Sequence, residues 1–104
     1  MWIFLSDAFL SIVEKGGDSS TLLVRARQAG EIERVFPEAK VIEGAGTDYR
    51  YRARIARESV AQAIADSIRR INYPNFKSTV KDRKRHDAYM RVWDAMYALQ
   101  SRGH

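Results

Sequence analysis

The stretch Asp48-Tyr49-Arg50-Tyr51-Arg52-Ala53-Arg54-Ile55 alternates apolar and cationic side chains with a period of two. Successive side chains of a strand leave opposite faces. The pattern therefore predicts a half-buried strand with Tyr49, Tyr51, Ala53 and Ile55 beneath and Arg50, Arg52 and Arg54 above as a comb of guanidinium groups. A strand of this kind needs matching neighbours and a cover for its apolar side, and the flanking sequence supplies both.

Upstream, Trp2–Leu5 reads as a short strand, and 9–14 and 21–26 read as a hairpin around Lys15-Gly16-Gly17-Asp18-Ser19-Ser20. Glycine reaches positive φ without steric cost there, and Asp and Ser bond their own backbone. A helix is expected over 29–36, where Ile32, Val35 and Phe36 share a face and Pro37 ends the run. A strand follows over 39–43, then a glycine loop leads into the arginine strand. From Arg57 to Ile71 the period changes to 3.6, with Val60, Ile64, Ile68 and Ile71 in one stripe and alanines around them. Asn72-Tyr73-Pro74-Asn75-Phe76 is a stop. After the polar run 81–87, a last helix carries Tyr89, Val92, Trp93, Met96 and Tyr97 on a wide aromatic face. The order ββ(β)-α-ββ-α-α predicts an α+β, two-layer sandwich: a mostly antiparallel sheet of four to five strands covered by two to three helices. Its β-α-β-β-α core is similar to ferredoxin-like topologies, a likeness that carries no activity with it.

At 104 residues and 45% apolar, the chain is expected to form a single domain, 1–104, with its own core. It has no cysteine, which excludes disulfides, thiol nucleophiles and thiolate metal sites and suits a cytoplasmic setting. No apolar run reaches membrane-spanning length, so no membrane partner is expected. The net charge of +5 is uneven. Residues 1–49 carry five Lys/Arg against eight Asp/Glu, while residues 50–91 carry twelve against four. Such asymmetry hints at an anionic partner.

The segments Gly46-Thr47-Asp48-Tyr49-Arg50-Tyr51-Arg52, Asn72-Tyr73-Pro74-Asn75-Phe76-Lys77 and Tyr89-Met90-Arg91-Val92-Trp93, with the Met1-Trp2 start, carry a resemblance. The chain resembles, over nearly its whole length, a family of small bacterial and phage-borne proteins of similar size with no established activity. The resemblance implies a possible phage or prophage origin and transfers no site residue.

Reactive chemistry finds little support. The only histidines are His86 and His104, too few for a convergent metal site, and no metal or cofactor is expected. Ser59, Ser67 and Ser78 could be oriented by His86 and Asp87, but none sits in a nucleophile elbow. Glu43 and Asp48 flank the glycine loop, where Asp48 reads more simply as a turn acceptor. Gly44-Ala45-Gly46 lacks the Lys-Ser/Thr of a phosphate loop and reads as a connecting turn; Gly103-His104 is set aside from function. No catalytic residue is expected, and the chain does not read as an enzyme.

Two binding surfaces remain. The comb Arg50, Arg52 and Arg54, extended by Arg57, Lys81, Arg83, Lys84 and Arg85, suits an anionic partner such as nucleic acid. Glu14 or Glu43 can neutralise part of it. Tyr49 and Tyr51 are expected in the core, while Tyr73 and Phe76 stand where they can stack on bases or fill the space between the last two helices. The second surface is the aromatic face of the last helix, with Tyr89, Trp93, Met96 and Tyr97 as interface candidates, since such residues concentrate where proteins bury each other. The favoured expectation is a small non-catalytic binding domain acting through protein contacts or as a homodimer, with nucleic-acid binding as the alternative.

Overall fold

The computed structural model describes residues 1–44 and 48–102. The elements in chain order are β1 (Trp2–Phe4), β2 (Phe9–Val13), β3 (Thr21–Ala26), α1 (Glu31–Val35), β4 (Ile42–Glu43), β5 (Tyr51–Ala56), α2 (Arg57–Arg69), a single 3-10 turn (Lys77–Thr79) and α3 (Arg83–Arg102). The five strands form one sheet in the order β1-β2-β3-β5-β4, antiparallel throughout. This is the expected α+β fold. The contacts divide the chain into two units, Met1–Asn72 and Tyr73–His104.

In the first unit the register places Ile12 opposite Val24 and Val24 opposite Ala53, with Leu22 against Ile55 and Ala26 against Tyr51. Directly opposed residues share a sheet face, so these side chains form one apolar surface. Ile32 and Phe36 from the α1 segment and Val60 from α2 close over it, joining Leu10, Ile12, Val24, Ala26 and Ala53 in the core. Full burial of side chains such as Leu10 and Ile32 stabilises the fold by roughly 1.5–3 kcal/mol each. The Val60–Ile71 stripe is buried only at its start: Val60 is buried and Ile64 half-buried, but Ile68 and Ile71 are exposed.

The entry to α1 is set by two backbone devices. Gly30 has φ +87°, a left-handed conformation that favours glycine, and turns the chain into the helix. Glu31, only 2% exposed, accepts the Phe9 amide on Oε1 at 2.7 Å and the Gln28 amide on Oε2 at 3.2 Å. The fold uses this residue to tie β2 to α1.

The arginine strand is shorter than its alternation suggests. It begins at Tyr51, and Tyr49 and Arg50 precede it as a bend. Tyr49 is buried as expected, but it packs against Arg25 and Arg27 and does not join the cluster beneath α1 and α2. Similarly, α1 and β4 are shorter than expected, and the loop residues 45–47, with 103–104, lie outside the described residues.

In the second unit the helix begins inside the polar run 81–87. Asp82 accepts the Arg85 amide on its side chain at 2.9 Å and the His86 amide on its carbonyl at 2.9 Å, so it caps a helix that starts at Arg83. Arg83, Lys84 and Arg85 are the first turn of α3. Before it, Asn75 Oδ1 accepts the Lys77 amide at 3.0 Å and shapes the 3-10 turn, and Phe76 stacks on Tyr89 with ring centroids 6.0 Å apart.

Candidate functional site

The sheet face opposite α1 and α2 carries the cationic chemistry. In one cross-strand row, Trp2 stands opposite Ser11, Ser11 opposite Arg25, and Arg25 opposite Arg52. The neighbouring row on that face runs Val13, Leu23, Arg54. On the other flank Phe4 opposes Phe9. The three aromatic rings form a chain, Trp2 to Phe9 at 6.0 Å and Phe4 to Phe9 at 4.7 Å.

Two of the arginines, Arg25 and Arg27, lie against the Tyr49 ring. The Arg25 guanidinium lies 4.6 Å and that of Arg27 4.2 Å from the centre of the Tyr49 ring. Arg27 also donates to the Asp48 carbonyl at 2.8 Å and Arg25 to the Ser11 hydroxyl at 2.8 Å, while the buried Arg25 Nε has no hydrogen-bond partner. Arg25 and Arg27 were not singled out by the sequence reading, although Arg25-Ala26-Arg27 shows the same period-two spacing as the comb.

The predicted basic residues separate into different settings. Arg50 pairs with Glu43 at 3.2 Å, with both side chains exposed. Arg57 pairs with Glu14 and donates to the Ser19 carbonyl at 2.8 Å, which ties α2 to the β2–β3 hairpin. Arg52 is half-buried in the cross-strand row and Arg54 is exposed, donating to the Thr21 hydroxyl at 3.3 Å. Arg54 also lies against Gly16, where a Cβ would meet its guanidinium at 2.7 Å. Lys81 donates to the Ser78 carbonyl at 3.0 Å, and Arg85 donates to the Tyr89 hydroxyl at 3.3 Å. Lys81, Arg83, Lys84 and Arg85 belong to the second unit, whereas the strand arginines and Arg57 belong to the first.

In the hairpin, Asp18 Oδ1 accepts both the hydroxyl and the amide of Ser20, at 2.7 and 2.9 Å. These bonds from Ser20, with a smaller contribution from the nearby Arg54 charge, hold the Asp18 carboxyl below its ordinary value of 3.8.

The second surface is α3. None of its residues is buried. Val92 is 39% exposed, Trp93 50%, Met96 57%, Tyr97 57% and Leu99 59%, and spacings of three and four put them on one broad face. Trp93 packs against Tyr97 at 5.3 Å, and the Lys77 ammonium sits 5.5 Å from the Trp93 ring centre. All four interface candidates, Tyr89, Trp93, Met96 and Tyr97, therefore share this face.

Among the described residues no group of three or more His, Asp or Glu side chains is placed to hold a metal ion, and no helix is long and apolar enough to cross a membrane. An open groove beside α2 is lined in part by Val35, Phe36, Ile55 and Ala63, with Glu58 and Asp66. Searches against protein-family models, curated proteins and solved structures return no match to this chain.

Proposed function

We propose that the chain is a non-catalytic binding domain that self-associates through α3, pairing with a second copy in antiparallel fashion. The observation that carries this reading is the uncovered apolar face of a 20-residue helix with no buried residue. Isolated amphipathic helices are marginal in water and gain their stability from packing that face.

The residue pattern favours a second copy as the occupant. Tyr89-Met90-Arg91-Val92-Trp93-Asp94-Ala95-Met96-Tyr97 reads the same from both ends at its aromatic and methionine positions. A two-fold interface uses one patch against itself. Antiparallel pairing about Trp93 sets Trp93 on its copy, Tyr89 on Tyr97 and Met90 on Met96. Charge selects the same direction. Parallel pairing would set the cluster Arg83, Lys84 and Arg85 against itself. Antiparallel pairing spreads this charge, laying the cluster beside the last helical turn of the second copy, whose one cation is Arg102.

Sedimentation and cross-linking test this. The expected mass is twice 12.0 kDa, insensitive to salt, and Trp93→Arg reduces it to one chain. Because the chain has no cysteine, His86→Cys with Gln100→Cys provides a clean pair. Antiparallel copies cross-link His86→Cys of one to Gln100→Cys of the other. A single-chain mass at every concentration overturns the reading, and cross-linking of His86→Cys alone overturns its direction.

A further inference from the structure

The geometry points to a second binding surface, independent of α3: the sheet face bearing Trp2, Phe4, Phe9, Arg25, Arg27, Tyr49, Arg52 and Arg54 is a site for single-stranded nucleic acid. Charge complementarity is the first argument. Within strands β1, β2, β3 and β5 this face carries aromatic, aliphatic, small polar and cationic side chains and no Asp or Glu. Off these strands, Glu43 pairs with Arg50 and Glu14 with Arg57, and the Asp18 carboxylate of the hairpin lies near Arg54. Arg25 and Arg52 stand directly opposite each other, which places two cations in one cross-strand row.

The second argument is how the cations are held. The Tyr49 ring lies against the Arg25 and Arg27 guanidiniums, and cation–π attraction holds these side chains in place. Arg27 and Arg54 are the exposed cations that can reach phosphate oxygens, whereas the Nε atoms of Arg25 and Arg52 are buried. Alternate side chains on one face of β5 recur every ~7 Å, an interval an extended strand of phosphates can follow.

The third argument chooses single strands over duplex. Trp2 is 67% exposed and begins the ring chain through Phe9 to Phe4, in the same row as Arg25 and Arg52. Exposed rings beside a cationic track stack on unpaired bases, whose faces a duplex hides. An acidic peptide or anionic membrane offers the charge without the flat bases.

The test is fluorescence anisotropy of labelled thymidine and uridine 20-mers with the full chain, across a salt series. Affinity is expected to fall with salt at a logarithmic slope of about −2 to −3, the value for three to four phosphates on a single strand. Arg27→Glu with Arg54→Glu, both exposed positions, should weaken binding more than tenfold and flatten that slope. Trp2→Ala should weaken binding roughly tenfold and leave the slope intact, since it removes stacking and no charge. Circular dichroism confirms that each variant is folded. Trp93→Arg, the dimer-breaking change, should leave the affinity of each chain within threefold, which separates the two sites. Absence of binding at 25 mM salt overturns the proposal. So does tighter binding of the matching duplex, of polyglutamate or of anionic vesicles, or full retention of affinity in both surface variants.

Discussion

Arg25 and Arg52 stand directly opposite each other in the β3–β5 ladder, on the same face as the Ser11 hydroxyl that Arg25 donates to. Like charges so placed are destabilising by roughly 0.2–1 kcal/mol. An oxyanion that binds the folded face stabilises it by mass action. Sulfate at ten times its dissociation constant should raise the melting temperature by about 5 °C over chloride at matched ionic strength. Identical melting curves in the two salts count against an anion site on this face.

The Glu31 carboxylate accepts two backbone amides, those of Phe9 and Gln28. Glu31→Ala removes the acceptor of both amides and should cost about 1–3 kcal/mol in urea unfolding, more than Glu31→Gln, which keeps an acceptor. The Phe9 amide should lose hydrogen-exchange protection in the alanine variant. An unchanged urea midpoint would contradict the role assigned to Glu31.

Asp82 caps α3 through its side chain. Asp82→Ala should cost the helix about 1 kcal/mol and Asp82→Asn much less, because asparagine also accepts the N-terminal amide. The readout is fraying of residues 83–86 by amide exchange. Equal protection in wild type and alanine variant removes Asp82 from this role.

Acid should loosen the hairpin. The Asp18 carboxyl is held below its ordinary value of 3.8 by its bonds from Ser20. A lowered folded value means that the stabilisation is present above the ordinary value and lost as pH falls through the folded one. Carboxyl titration by NMR should place Asp18 below 3.8, and Asp18→Asn should abolish this part of the acid sensitivity. A midpoint at or above the ordinary value speaks against the Ser20 bonds in solution.

Gly16 joins two constraints at one position, φ of +102° and an Arg54 guanidinium 2.7 Å from where a Cβ would lie. Gly16→Ala should therefore destabilise by about 1–2 kcal/mol through the left-handed backbone. It should also displace Arg54, whereas Gly17→Ala meets no neighbour. Equal melting temperatures for the two variants would remove Arg54 from the argument.

Local pattern alone determined the element order, the antiparallel hairpin, the buried faces of Ala53 and Ile55, and the aromatic stripe of α3. Each of these depends on a short-range period of two or 3.6, which the side chains impose wherever they sit. The ends of elements were less legible. Tyr49 keeps the strand alternation in sequence, but the ladder stops at Tyr51, and only then is its ring free to turn to the arginine side. Asp82 looked like one charge among many because a cap is defined by the amides it meets. The candidate surface likewise depends on register: Arg25 and Arg52 are 27 positions apart, and only strand pairing sets them side by side with Ser11 and Trp2. Pairing also decided which arginines meet carboxylates, leaving Glu43 to Arg50 and Glu14 to Arg57. Sequence specified the faces because periodicity is local; tertiary structure chose the neighbours because contact is not.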